Sequence, residues 1–141
     1  MERDPLTACD VGQKENKMTN ETNAIEAFRA SAKFRCMEPE FAHLNPSPDS
    51  VTLQARQILE KCIDDVLEGV RAEKSKNMIK TEISKAINEV EKGELDTEDR
   101  EYVAFYFHKL GNLTGVNVSF AVNRWLYGWP IALFTLFRKN G

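Results

Sequence analysis

The chain has 141 residues and a formal net charge of −3, from 19 Lys and Arg against 22 Asp and Glu. A single domain of this length buries roughly two-thirds of the surface its unfolded chain exposes, so a core can form without a disulfide or metal staple. With 42% apolar and 29% charged residues, the composition excludes wholesale disorder and fibrous repeats. The near-balanced charge excludes broad electrostatic binding to nucleic acid.

Residues 1–22 hold few large apolar side chains beyond Leu6, Val11 and Met18. They offer no face to dock, so they are expected to form a disordered leader ahead of a single domain over residues 23–141. Met18 is an alternative start to Met1. Leu6-Thr7-Ala8-Cys9 matches the lipobox of bacterial lipoproteins, but that motif works only behind a basic and then apolar signal segment. Met1-Glu2-Arg3-Asp4-Pro5 is neither, so the match is read as chance. Cys9, Cys36 and Cys62 are odd in number and form no CxxC pair. That usage fits free thiols in a reducing, cytoplasmic compartment.

Asn23 with Glu26 has capping-box spacing, followed by Ile25, Phe28 and Ala32 on one face of a first helix. This helix should fade near Phe34, before a loop containing Pro39, Pro46 and Pro48. Ser47 then suits an N-cap, with Pro48 at the first helical position. Behind it Val51, Ala55, Ile58, Leu59, Cys62, Ile63, Val66, Leu67 and Val70 recur at helical steps. Ile79, Ile83, Ala86, Ile87 and Val90 mark a third helix, stopped by Gly93. Asp96 or Thr97 opens a fourth, with Glu98, Asp99 and Glu101 where the positive end of the macrodipole favours acids.

From Tyr102 to Leu110 the fourth helix is apolar on nearly every side, which marks it as central. Gly111 is expected to close it. Val116 to Leu126 reads as a fifth helix ending at Gly128, although the alternation Val116, Val118, Phe120, Val122 also suits a strand. Beyond Pro130, Ile131 to Phe137 is a short sixth helix or an extended buried segment. The expected fold is all-α: a compact bundle of five to six helices in one domain behind the leader.

Charge and aromatic content are unevenly spread. From residue 101 onward Glu101 faces Lys109, Arg124, Arg138 and Lys139, a local balance of +3 that leaves −6 on the first hundred residues. Ten of the thirteen aromatics also lie there. Val116 to Phe137 is long enough to span a bilayer, yet Asn117, Asn123, Arg124 and Pro130 interrupt it. An arginine at mid-span costs at least about 2.5 kcal/mol, so a buried core segment is expected and no membrane span.

Linear catalytic signatures are missing: no nucleophile elbow, dinucleotide-binding loop, kinase motif or HExxH run occurs. His43 and His108 are the only imidazoles. Asp64, Asp65 and Glu68 have Lys61 and Arg71 at helical distances, which favours a salt-bridged face. Glu94, Asp96, Glu98 and Asp99 lack calcium-loop spacing. No metal and no cofactor is expected.

What remains is a set of polar groups embedded in apolar sequence. Asn112, Thr114, Asn123 and Arg124 surround the loop Gly111-Asn112-Leu113-Thr114-Gly115, with His108 just before it. Buried polar groups need partners, and N–H groups at the start of the following helix suit an anion. Trp125, Tyr127 and Trp129 supply the aromatic content of an interface hot spot. The candidate binding residues are therefore His108, Asn112, Thr114, Asn123, Arg124, Trp125, Tyr127 and Trp129, with no catalytic residue among them. The function expected is a non-catalytic protein–protein interaction of adaptor or immunity type. The alternative is a small-molecule or anion-binding protein, or an enzyme, with a site between helices near Gly111–Gly128.

The stretch from Tyr102 to Gly128, reading Tyr-Val-Ala-Phe-Tyr-Phe-His-Lys-Leu-Gly-Asn-Leu-Thr-Gly at its start, resembles the C-terminal block of a family of small bacterial proteins of unknown function. The resemblance implies a small helical fold and no particular activity.

Overall fold

The computed structural model describes residues 5–31, 33 and 47–128, and of residues 5–17 the backbone alone. Among them five helices and no strand occur: α1 (Pro5–Ala30), α2 (Asp49–Arg71), α3 (Lys76–Glu89), α4 (Thr97–Thr114) and α5 (Ser119–Tyr127). The expected sixth helix over residues 131–137 and the loop from Pro39 to Pro46 lie outside the described residues.

Each boundary has a local cause. The helix α1 is continuous through Asn23, so the capping-box spacing there does not start a helix and the expected boundary at residue 22 falls inside α1. Between Gly12 and Asn23 nothing breaks a helix, and Glu21 is tied to α3 through the Lys76 ammonium at 3.4 Å. Pro48 is the N-cap of α2, one residue later than the Ser47 expected. Ser75 caps α3 by accepting the Met78 N–H at 3.2 Å. Asp96 and Asp99 form a capping box at α4, each side chain accepting the other's backbone N–H, at 2.8 and 3.3 Å.

At the other end, α4 runs through Gly111 and stops at Thr114. The left-handed residue is Gly115, at φ 69. Its N–H reaches the Asn112 carbonyl, and the Val116 N–H reaches that of Gly111 at 2.9 Å, the paired bonds of a Schellman ending. Gly111 has a different role. A Cβ there would lie 2.9 Å from Val118 Cγ2 and 3.0 Å from the Val116 carbonyl oxygen, so a bare backbone lets residues 116–118 fold back across α4. Those three residues are irregular, and the helix begins at Ser119. The alternating stretch is thus divided: its start is non-helical and its remainder is α5.

The helices α1 and α2 lie antiparallel, as their ion pairs show. Arg29 meets Asp64 at 2.7 Å, while Glu26, earlier in α1, meets Arg71, later in α2. The short turn at residues 72–75 sets α3 antiparallel to α2, with Gln54 bonding both the Glu89 carbonyl and the Glu91 N–H. The helix α4 touches all four others. Its Tyr102, Tyr106, Phe107 and Leu110 are fully buried among Ile25 of α1, Ile63 and Val66 of α2, Ile83 and Ile87 of α3 and Val122 of α5. Phe105 is only half-buried, on the flank of that face, with its ring 5.5 Å from Tyr106 and the Lys109 ammonium 5.8 Å above it. Among the described residues no helix is long and apolar enough to cross a membrane.

Candidate functional site

The Schellman ending of α4 and the fold-back at Gly111 create a hollow of about 390 Å³ at the start of α5, lined by His108, Asn112, Asn117 and Ser119 and the intervening backbone. Asn117 Oδ1 accepts the Ser119 N–H at 3.0 Å. Of the eight residues expected to bind, His108 and Asn112 meet here. Thr114 is fully buried, and its hydroxyl donates to the Leu110 carbonyl at 2.9 Å and to that of Gly111 at 3.1 Å. The Thr114 carbonyl takes the Lys76 ammonium. Its polar groups serve the end of α4.

Trp125 is also turned inward. Its indole N–H donates to the Val90 carbonyl at 3.0 Å, and its own carbonyl accepts from the Lys92 ammonium, which lies 5.7 Å from the ring centroid. These contacts pin α5 to the end of α3. Asn123 and Arg124 are half-buried on α5, and Tyr127 at its end is 58% exposed. Trp129 and His43 lie outside the described residues. Every buried side-chain nitrogen and oxygen among the described residues has a hydrogen-bond partner.

A second hollow lies on the outer face of α3. The helix α2 ends with the N–H of Glu73 on the Val70 carbonyl and that of Lys74 on the Gly69 carbonyl, again a Schellman pair. This turn carries the Lys74 stem back over Gly69, where an added Cβ would sit 3.4 Å from Lys74 Cδ and 3.8 Å from Glu82 Oε2. Beside it Asn77, Met78, Thr81 and Lys85 recur at helical steps and complete a largely apolar trough of about 390 Å³. Met78 is 54% exposed. Neither Lys74 nor Lys85 forms an ion pair among the described residues, unlike Arg29, Lys61, Arg71 and Lys76. Sequence reasoning missed this trough. The available signal was a methionine next to, but off, the Ile79-Ile83-Ile87 register.

Between α2 and α3 a smaller hollow of about 210 Å³ has Cys62 on its floor and Lys61, Asp65, Glu82, Lys85 and Glu89 around it. Lys61 bonds Asp65 at 3.1 Å, which raises its pKa, as the Asp64 bond raises that of Arg29. Burial pushes the Cys62 thiol from 9.0 to about 12, with Glu82 adding to the shift. A thiol held protonated is a poor nucleophile. No group of three or more His, Cys, Asp or Glu side chains positioned for a metal occurs among the described residues. Asp99, one of the acids expected in the first turn of the fourth helix, is fully buried.

These features define a single-domain α-helical protein built around α4, with shallow hollows on its surface. The chain belongs to the family described as Domain of unknown function (DUF4844), whose model matches residues 13–130. No curated protein matches the chain at a significant level, and no solved structure does.

Proposed function

We propose that this domain is a non-catalytic interaction protein of adaptor or immunity type, and that its contact face is the outer side of α3. The observation that carries this reading is Met78, more than half exposed on an apolar trough rimmed by two lysines. An apolar centre with a charged rim is the anatomy of a protein contact site, and the unbranched, polarizable methionine adapts to the shape laid against it. The inward turn of Trp125 and Thr114 takes weight away from the Gly111–Gly128 region, leaving exposed Tyr127 as its one strong contribution to such a face. A bacterial, cytoplasmic setting suits this reading, supported by the free thiol of Cys62.

The test is site-specific photocrosslinking in cells that naturally make the protein. A photoreactive residue is placed at Met78 and, in separate variants, at exposed Leu53 and at Asn112. A discrete protein adduct from position 78, absent from position 53, supports the reading. Equal patterns from both positions, or no adduct at 78, overturns it.

A second reading keeps the hollow at the start of α5, because His108, Asn112, Asn117 and Ser119 converge there beside a helix N-terminus. It takes a small anion as ligand. Titrating phosphate or acetate while following the His108 ring signals by NMR tests it. Signals that stay fixed to millimolar anion, together with no adduct specific to position 112, end this reading.

A further inference from the structure

The charge pattern around Met78 says more about what the trough accepts. On a chain of net charge −3, four cations of α1 to α3 meet carboxylates, Arg29 with Asp64, Arg71 with Glu26, Lys61 with Asp65 and Lys76 with Glu21, while Arg56 bonds the Asp49 carbonyl and the Thr52 hydroxyl. Lys74 and Lys85 flank the trough with no ion pair among the described residues, and the trough's own acid, Glu82, leans toward Gly69 of α2. The mouth is therefore apolar along its middle and cationic at both ends. We infer that it seats an acidic amphipathic helix of a partner protein, whose apolar side rests on Met78 and Thr81 and whose carboxylates meet Lys74 and Lys85.

A helix fits because the lining residues of α3 form one row at three- and four-residue steps, the ridge against which a second helix packs. A membrane surface fits less well, since an interfacial helix inserts a broad apolar face and α3 exposes a single large apolar side chain, Met78. A nucleic acid would meet the acidic remainder of the chain. The inference rests on the recognition reading above, and its test separates the two.

The crosslinking at position 78 is repeated in the full chain with Lys74→Glu and Lys85→Glu together, and with both lysines changed to Gln. Both sites are exposed; thermal melts establish that each variant folds, and the glutamine pair stands in if the glutamate pair does not. The expected result is a fivefold or greater loss of adduct in the glutamate pair and a smaller loss in the glutamine pair. The adduct, sequenced by mass spectrometry, falls on a segment with Asp or Glu at three- and four-residue spacing. An adduct whose yield ignores the lysines overturns the acidic-helix inference and leaves the recognition reading standing. So does an adduct to lipid, to nucleic acid or to a second copy of this chain in place of an acidic segment. Loss of every adduct at position 78 in the parent chain sinks both.

Discussion

The carboxylate of Asp99 receives two hydrogen bonds from Ser47, the hydroxyl at 2.6 Å and the backbone N–H at 2.9 Å, across 52 residues of chain. It also accepts the Asp96 N–H at 3.3 Å while fully buried at the start of α4. One side chain thus caps its own helix and anchors the chain entering α2. Hydrogen bonds to a charged group contribute about 1.5–3 kcal/mol each, and a stranded buried donor adds a penalty of its own. Asp99→Ala is expected to lower the unfolding free energy by about 3 kcal/mol in urea titrations, and Asp99→Asn, which keeps one acceptor oxygen, by about half of that. Ser47→Ala should cost about 1.5 kcal/mol, and the double variant should cost less than the two single losses combined, because they share a bond. Full additivity would show that the two residues do not act together.

Gly111 sits inside α4, where alanine is intrinsically better by about 1 kcal/mol. Here the exchange is expected to destabilise, because the new methyl would meet Val118 at 2.9 Å and the Val116 carbonyl oxygen at 3.0 Å. Forcing residues 116–118 outward should cost about 1–3 kcal/mol, the usual range for overpacking. The same shift would open the hollow at the start of α5. A thermal melt at or above that of the parent would mean that the fold-back yields without cost.

These two cases show what the sequence made legible and what it hid. The helices α2, α3 and α4 were readable because local signals agree with tertiary need: Ile79, Ile83 and Ile87 keep one face, and Asp96 stands three residues before Asp99. The end of α4 was misplaced because a glycine is read first as a stop. Gly111 is instead a point of close approach, and its contact with Val118 exists only once the chain has turned back. The start of α1 was misplaced for the opposite reason: Asn23 has a cap's spacing but no break before it. At the candidate site, His108 and Asn112 line one hollow because they stand one helical turn apart near the end of α4. The trough was not legible, since it needs the turn after α2 to lay Lys74 beside Met78. Burial of Asp99 was hidden for the same reason, its main partner being 52 residues away.

Phe107 and Phe105 are two residues apart in α4 and face different surroundings. Phe107 is fully buried, whereas Phe105 is half-buried on the flank. Phe107→Ala is expected to cost about 3–5 kcal/mol, the range for emptying a phenylalanine site in a core. Phe105→Ala should cost less than half as much, because solvent already reaches the ring and no closed cavity is left. Urea midpoints for the two variants check this ordering, and an equal loss would place Phe105 in the core after all.

Glu73 occupies the position after α2 where a Schellman ending usually carries glycine, and it holds φ 57 there. A left-handed conformation costs a side chain with a Cβ about 1–2 kcal/mol. Glu73→Gly should therefore raise the unfolding free energy by about 1 kcal/mol, less whatever interaction the glutamate side chain contributes. The exchange removes one negative charge beside Lys74 and leaves the bonds of Glu73 and Lys74 to Val70 and Gly69 in place. A loss of stability would show that the glutamate side chain outweighs the strain of its backbone.

Cys62 makes the pH dependence testable with a definite sign. Its thiol titrates near 12 in the folded chain against an ordinary 9.0, so between those values the folded state keeps a proton that the unfolded state has lost. Stability then falls as pH rises, by at most about 1.4 kcal/mol per pH unit, and the contribution is whole only below the unfolded value. Between about pH 8.5 and 10.5 the parent chain should lose roughly 1–2 kcal/mol more than Cys62→Ala, measured as paired urea titrations at each pH. The comparison is between slopes, so the alanine variant's lower stability from lost packing does not enter. With Cys9 and Cys36 replaced by serine, the native chain should also react with iodoacetamide far more slowly at Cys62 than the urea-unfolded chain does, because the thiolate is the attacking species. Parallel slopes, or native alkylation as fast as unfolded, would mean that the α2–α3 hollow admits enough water to solvate the thiolate, and Cys62 would then have to be counted as a reactive group beside the Met78 trough.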